Sequence, residues 1–129
     1  MMKKRVESAI RLILENIGEG WFIILEEPET EKFVQFAYDE GSGLVFDLPF
    51  QALDEDELAR ARQVLGEVGV GDEVASIFDS PDGEAVGEQR SFNSMVGKDV
   101  DRAVDLVYRV FTYVYGFDDK TRFNVTISW

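Results

Sequence analysis

The sequence predicts an α+β domain: one antiparallel sheet with helices packed mainly on one face, in the order α-β-β-β-α-β-β-α-β. Three observations carry this. The apolar residues switch repeatedly between helical spacing and strand alternation. Almost every switch coincides with a Gly, Pro or Asp cluster. Strands come in runs between helices, an order that suits an antiparallel sheet backed by helices.

Each element has its own signal. Residues 3–17 place Val6, Ala9, Ile10, Ile13 and Ile17 on one stripe of a helix, with Gly18 where a left-handed cap would lie. Trp21 to Leu25 is apolar on both faces and too short for a helix, so it reads as a strand. After the turn cluster 26–30, a second strand spans about 32–38, and Asp39-Glu40-Gly41-Ser42-Gly43 forms a hairpin loop. The third strand, 44–50, alternates: Leu44, Phe46, Leu48 and Phe50 face one way, Val45, Asp47 and Pro49 the other.

Asp54 with Glu57 resembles a capping box that opens a second helix, which stops at Gly66 and has a thin apolar stripe. A fourth strand spans about 73–78, and Asp79-Ser80-Pro81-Asp82-Gly83 is a strong turn. The fifth strand, about 85–95, is more polar and reads as an edge strand or a functional face. The third helix, 98–115, carries a continuous stripe from Val100 to Val114 and ends at Gly116. The last strand, 122–129, alternates Phe123, Val125, Ile127 and Trp129 against Asn124, Thr126 and Ser128.

At 129 residues and 45% apolar composition, with ten Phe, the chain suits a single domain, 1–129, with a sizeable core. The net charge of −13 is unevenly placed. Residues 26–88 hold 18 Asp/Glu against Lys32, Arg60 and Arg62, a net of −15, and the remainder stands at +2. That field disfavours nucleic acid and anionic membrane surfaces, and fits a basic or amphipathic protein partner. Solubility alone also accounts for it. With no Cys and no His, disulfides, thiolate zinc sites, His general bases and Ser-His-Asp triads are excluded. No apolar run reaches a membrane span and no signal peptide is visible, so a cytoplasmic location is the default expectation.

No cluster carries recognisable catalytic chemistry. The stretch 79–84 fails as a calcium loop, because aligning Gly83 with the required glycine puts Phe78 at position one and Gln89 at position twelve. Capping explains Asp54 to Glu57, and the glycine clusters lack the Lys-Ser/Thr ending of a phosphate loop. No metal or cofactor is expected. The first two strands are apolar on both faces, which helices on one side cannot cover. Core packing, a homodimer seam and a groove for a client peptide each satisfy this.

Phe33-Val34-Gln35-Phe36, the Leu44-Val45-Phe46-Asp47-Leu48-Pro49 strand before an acidic-capped helix, and Val107-Tyr108-Arg109-Val110-Phe111 followed by Tyr115-Gly116-Phe117 resemble stretches of YbjN-like bacterial proteins. The element order is that of the type III secretion chaperone-like fold, which houses that family. The resemblance runs from the first helix through Gly116, and the final strand departs from it. It implies a small, acidic, cytoplasmic and dimeric protein that holds a client segment extended and hydrolyses no nucleotide.

The expected function is therefore a non-enzymatic, chaperone-like protein that binds a peptide segment or partner protein. The fifth strand (Arg90, Phe92, Ser94) would offer its edge, and Trp21, Phe33 and Phe36 would line pockets. On this expectation, removing Phe36 or Phe92 weakens client binding without unfolding the domain. The alternative is a self-association module with one fixed folded partner. A third reading, an enzyme using carboxylates or Tyr38, Tyr108, Tyr113 or Tyr115, requires a closed pocket holding a carboxylate of raised pKa.

Overall fold

The period switches resolve into helices and strands in the expected order. The computed structural model describes residues 2–16, 21–39, 41–78 and 85–128. Helix α1 (Met2–Asn16) precedes strands β1 (Phe22–Glu26), β2 (Phe33–Asp39) and β3 (Gly43–Pro49). A 3₁₀ turn (Phe50–Ala52) leads to α2 (Glu55–Gly66), then β4 (Gly71–Phe78) and β5 (Ala85–Gly97). Helix α3 (Val100–Arg109) runs into a π-helical turn (Val110–Val114), and β6 (Asn124–Ser128) follows. The cap at Gly18, the turn at 79–83 and Trp129 lie outside the described residues.

The six strands form one open sheet in the order β4-β5-β3-β2-β1-β6, and every neighbouring pair is antiparallel. The fold class is thus α+β, as the sequence predicts. The strand order corrects one expectation: β5 pairs with β3 on one side and β4 on the other, so it has no free edge. The edges belong to β4 and β6.

Alternation sends Ile23, Leu25, Val34, Phe36, Leu44, Phe46, Leu48 and Phe92 to one face, where all are buried. The helices form a single layer over that face. α1 packs on α3, and α2 packs on α3 and its π-helical turn. Val6, Ile10 and Ile13 of α1 and Ala103, Leu106 and Val107 of α3 are buried there. Each fully buried Phe or Leu in this layer contributes roughly 1.5–3 kcal/mol through the apolar area it removes from water.

Local chemistry fixes the ends of the elements. Asp54 accepts from the Glu57 N–H at 2.8 Å, and the Glu57 carboxylate accepts from the Asp54 N–H at 3.0 Å, completing the expected capping box. The third helix stays α-helical only to Arg109. Beyond it the Tyr115 N–H reaches the Val110 carbonyl and the Phe117 N–H the Phe111 carbonyl, with Gly116 at φ 78 closing the turn. The Arg60 guanidinium donates two bonds, at 2.8 and 3.0 Å, to the Val114 carbonyl that this wider turn leaves open. Gly43 (φ 81) passes so close to Gly97 that an added Cβ would lie 2.6 Å from its backbone, which locks the β3–β5 crossing at the β-bulge.

Candidate functional site

The outer edge of β6 is the best candidate for a binding site, and hydrogen-bond parity shows what it presents. The Tyr38 N–H bonds the Trp21 carbonyl and the Glu27 N–H bonds the Lys32 carbonyl, both at 2.9 Å. In an antiparallel pair, bonded and non-bonded residues alternate. Residues 21, 23, 25 and 27 therefore point their main-chain groups at β2, and Phe22, Ile24 and Glu26 point theirs at β6. Their partners are Ser128, Thr126 and Asn124. The N–H and C=O groups of Val125 and Ile127 consequently point away from the sheet, and among the described residues no strand pairs with them.

The side chains of Val125 and Ile127 fall on the helix side, level with Leu25 and Ile23. There they join Ala9, Leu12, Ile13 and Asn16 of α1 around a groove of about 400 Å³. Leu12 is 63% exposed and Val125 38%, so the apolar lining faces solvent. The strand sequence Asn-Val-Thr-Ile-Ser holds no charge and no proline, the usual devices that blunt an edge. The opposite edge differs, since β4 carries the exposed acids Asp72 and Glu73.

The six residues expected to form a site do not come together. Phe36 and Phe92 are core residues, 0% and 1% exposed, so neither lines a surface pocket. Phe92 packs on Phe50 with ring centroids 4.9 Å apart. Ser94 lies under α3, where its hydroxyl accepts from Arg102 at 3.0 Å. Arg90 is exposed on the helix side of the β4–β5 pair and meets Asp72 at 3.3 Å. Trp21 is half-buried at the entry to β1. Phe33 is half-buried on the open face of the sheet, and its carbonyl accepts from the Tyr115 hydroxyl at 2.6 Å. Sequence reasoning missed Leu12, Val125 and Ile127 as site residues. Leu12 did carry a signal, being a large apolar residue off the buried stripe of its helix.

The ionisable groups that are buried serve the architecture. Glu57 is 4% exposed, and its carboxylate caps α2 while also accepting from the Lys32 ammonium. That ammonium lies 5.2 Å from the centre of the Tyr115 ring. Burial pushes the Tyr115 phenol well above its ordinary range, and the Glu57 charge pushes it the same way. The Glu27 carboxylate accepts from the Thr30 hydroxyl and from the Glu29 and Thr30 N–H groups. The Thr30 hydroxyl bond is the main cause of its lowered pKa; burial opposes it and the two N–H bonds add to it. Among the described residues no group of three or more acidic side chains could hold a metal ion, and no helix is long and apolar enough to cross a membrane. Comparison with protein-family models, curated proteins and solved structures finds no match to this chain.

Proposed function

We propose that this chain is a non-enzymatic, chaperone-like binding protein that takes an extended segment of a client along the outer edge of β6. The observation that carries this reading is the coincidence, on one strand, of main-chain groups that no described strand pairs with and an apolar groove. An incoming strand pairs with the N–H and C=O of Val125 and Ile127, and every second side chain enters the groove beside Leu12. Main-chain pairing supplies affinity with little demand on sequence, and the groove selects apolar residues at alternate positions. That division suits a protein that grips a client segment in extended form.

A second copy is the other occupant that a specific observation favours. The sequence 124–128 is self-complementary about Thr126: an antiparallel partner sets Val125 against Ile127, with Thr126 facing its counterpart on the open side. This would be a self-association module with an isologous interface.

Hydrogen exchange with a synthetic peptide of alternating Val and Thr tests the reading. The peptide should slow exchange of the Val125 and Ile127 amides and leave those of Asn124 and Thr126 unchanged. Val125→Pro removes one outward N–H while keeping the bonds to β1, and should weaken peptide binding on the order of tenfold without unfolding the domain. Unchanged exchange at both amides on saturation would sink the proposal. Sedimentation in the absence of peptide separates the two occupants.

A further inference from the structure

We infer that the open face of the sheet is a second docking surface, and that its partner is a short amphipathic helix with a basic flank. Strand register lines up Met95, Val45, Ala37 and Phe22 as one continuous row across β5, β3, β2 and β1. Met95 is 67% exposed and Phe22 44%, and among the described residues no helix lies on this side. The adjacent row is polar across β5, β3 and β2, with Asn93, Asp47 and Gln35, before Ile24 on β1, and Gln35 donates to Asp47 at 2.6 Å.

The charge on this face has one sign. Its outward positions include Glu26, Asp39, Asp47 and Glu73, and no Lys or Arg occupies an outward position on any described strand. Two hollows flank Val45. One, of about 260 Å³, holds Asp47 beside Ala37 and Asn93; the other, of about 360 Å³, holds Glu73 beside Met95. Each carries one carboxylate and no cation. A second copy of a chain with net charge −13 would bring like charges together here, so a cationic partner fits better.

The geometry also favours a helix over an extended segment. A sheet face offers side chains and no main-chain partners, so a segment laid on it must satisfy its own backbone. The apolar row spans three strand spacings, about 14 Å, which matches about nine residues of helix. Anchors at i, i+3 or i+4, and i+7 reach along such a row, and Lys or Arg on the flanks meets the carboxylate hollows.

The test uses a synthetic helical peptide with Leu at i, i+3, i+4 and i+7 and Lys at the flanking positions. Controls are a scrambled peptide of equal composition and one with Glu in place of Lys. Amide shifts on titration should centre on Phe22, Ala37, Val45 and Met95, and binding should weaken with salt. Met95→Lys and Glu73→Lys replace exposed side chains, so both should leave thermal unfolding unchanged while weakening binding on the order of tenfold. Val125→Pro at the β6 edge should leave this binding intact, which keeps the two surfaces distinguishable. The inference is overturned if the scrambled or Glu peptide binds equally well, if no saturable binding is seen, or if shifts fall in the α1–β6 groove. It is overturned equally if sedimentation finds a dimer that Met95→Lys breaks and Val125→Pro does not, which would place a second copy on the row.

Discussion

Replacing Phe36 by Ala separates the core side of the sheet from its open side. Phe36 is 0% exposed on a central strand, with Ile23 opposite on one neighbour and Phe46 on the other. Its ring meets that of Phe46 edge to face, centroids 5.8 Å apart. Strands hold it on both sides and helices lie above, so the surroundings have little room to collapse into the space it leaves. Truncating a buried Phe costs about 3–5 kcal/mol, and the lack of relaxation argues for about 4. Urea unfolding measures this directly. With a slope of about 2 kcal/mol/M, the midpoint should fall by about 2 M. Phe22→Ala is the matched control. Phe22 is 44% exposed on the opposite face, and its truncation should cost less than about 1 kcal/mol. A midpoint change below about 0.5 M for Phe36→Ala, or equal changes for the two variants, would refute this assignment of the sheet faces.

Two further outcomes follow from the local geometry. Gly43→Ala forces a Cβ to 2.6 Å from the Gly97 backbone at a φ of 81, and should lower stability by more than about 2 kcal/mol in the same assay, whereas Gly66→Ala, with nothing within 4 Å of the new Cβ, should not be destabilising. The Glu27 carboxyl titrates lower in the folded state than its ordinary value of 4.5, so its contribution is present above that value and is lost as pH falls through the lowered one. Glu27→Gln should therefore flatten the acid limb of stability against pH below about 4.5, and an unchanged limb would show that this carboxylate is not held by Thr30.

The elements were legible in the sequence because each announces itself locally. The period-two alternation of residues 44–48 and the stripe from Val100 to Val114 both report which side of an element is buried. Strand order was not legible, because it depends on which distant segments pair. The fifth strand shows why. Its polar residues Ser91 and Asn93 point to the side away from the helices, where the Asn93 amide donates to the buried Ser91 hydroxyl, while Phe92 faces the helices, and Ser94 is polar on the helix side because Arg102 satisfies it. Polarity that marks the side away from the helices fits an edge position equally well. Phe36 followed the same logic in reverse: a chain apolar on both faces does not say which Phe points inward until register is known. The site at β6 was hidden for the first reason, since an edge exists only relative to the order of the other strands.

That order also sets how charge meets the β6 edge. The stretch of net −15, residues 26–88, begins at the last residue of β1 and builds β2, β3, α2, β4 and the start of β5, so it reaches from the β4 edge to the neighbour of β6. The strand β6 itself carries no charge, but Glu26 faces its Asn124 one strand spacing away, about 5 Å. An uncharged, regular strand edge ordinarily invites uncontrolled pairing between copies. Here Glu26, within a Debye length of about 8 Å, sets like charge against a second acidic copy at the Asn124 end of that edge, while Val125 to Ile127 are uncharged. The β6 edge thus offers an extended segment uncharged residues to pair with, while the acids of the open face attract cations. Occupants of the two surfaces would be sorted by chemistry: main-chain pairing and alternating apolar residues at the edge, a basic amphipathic helix on the face.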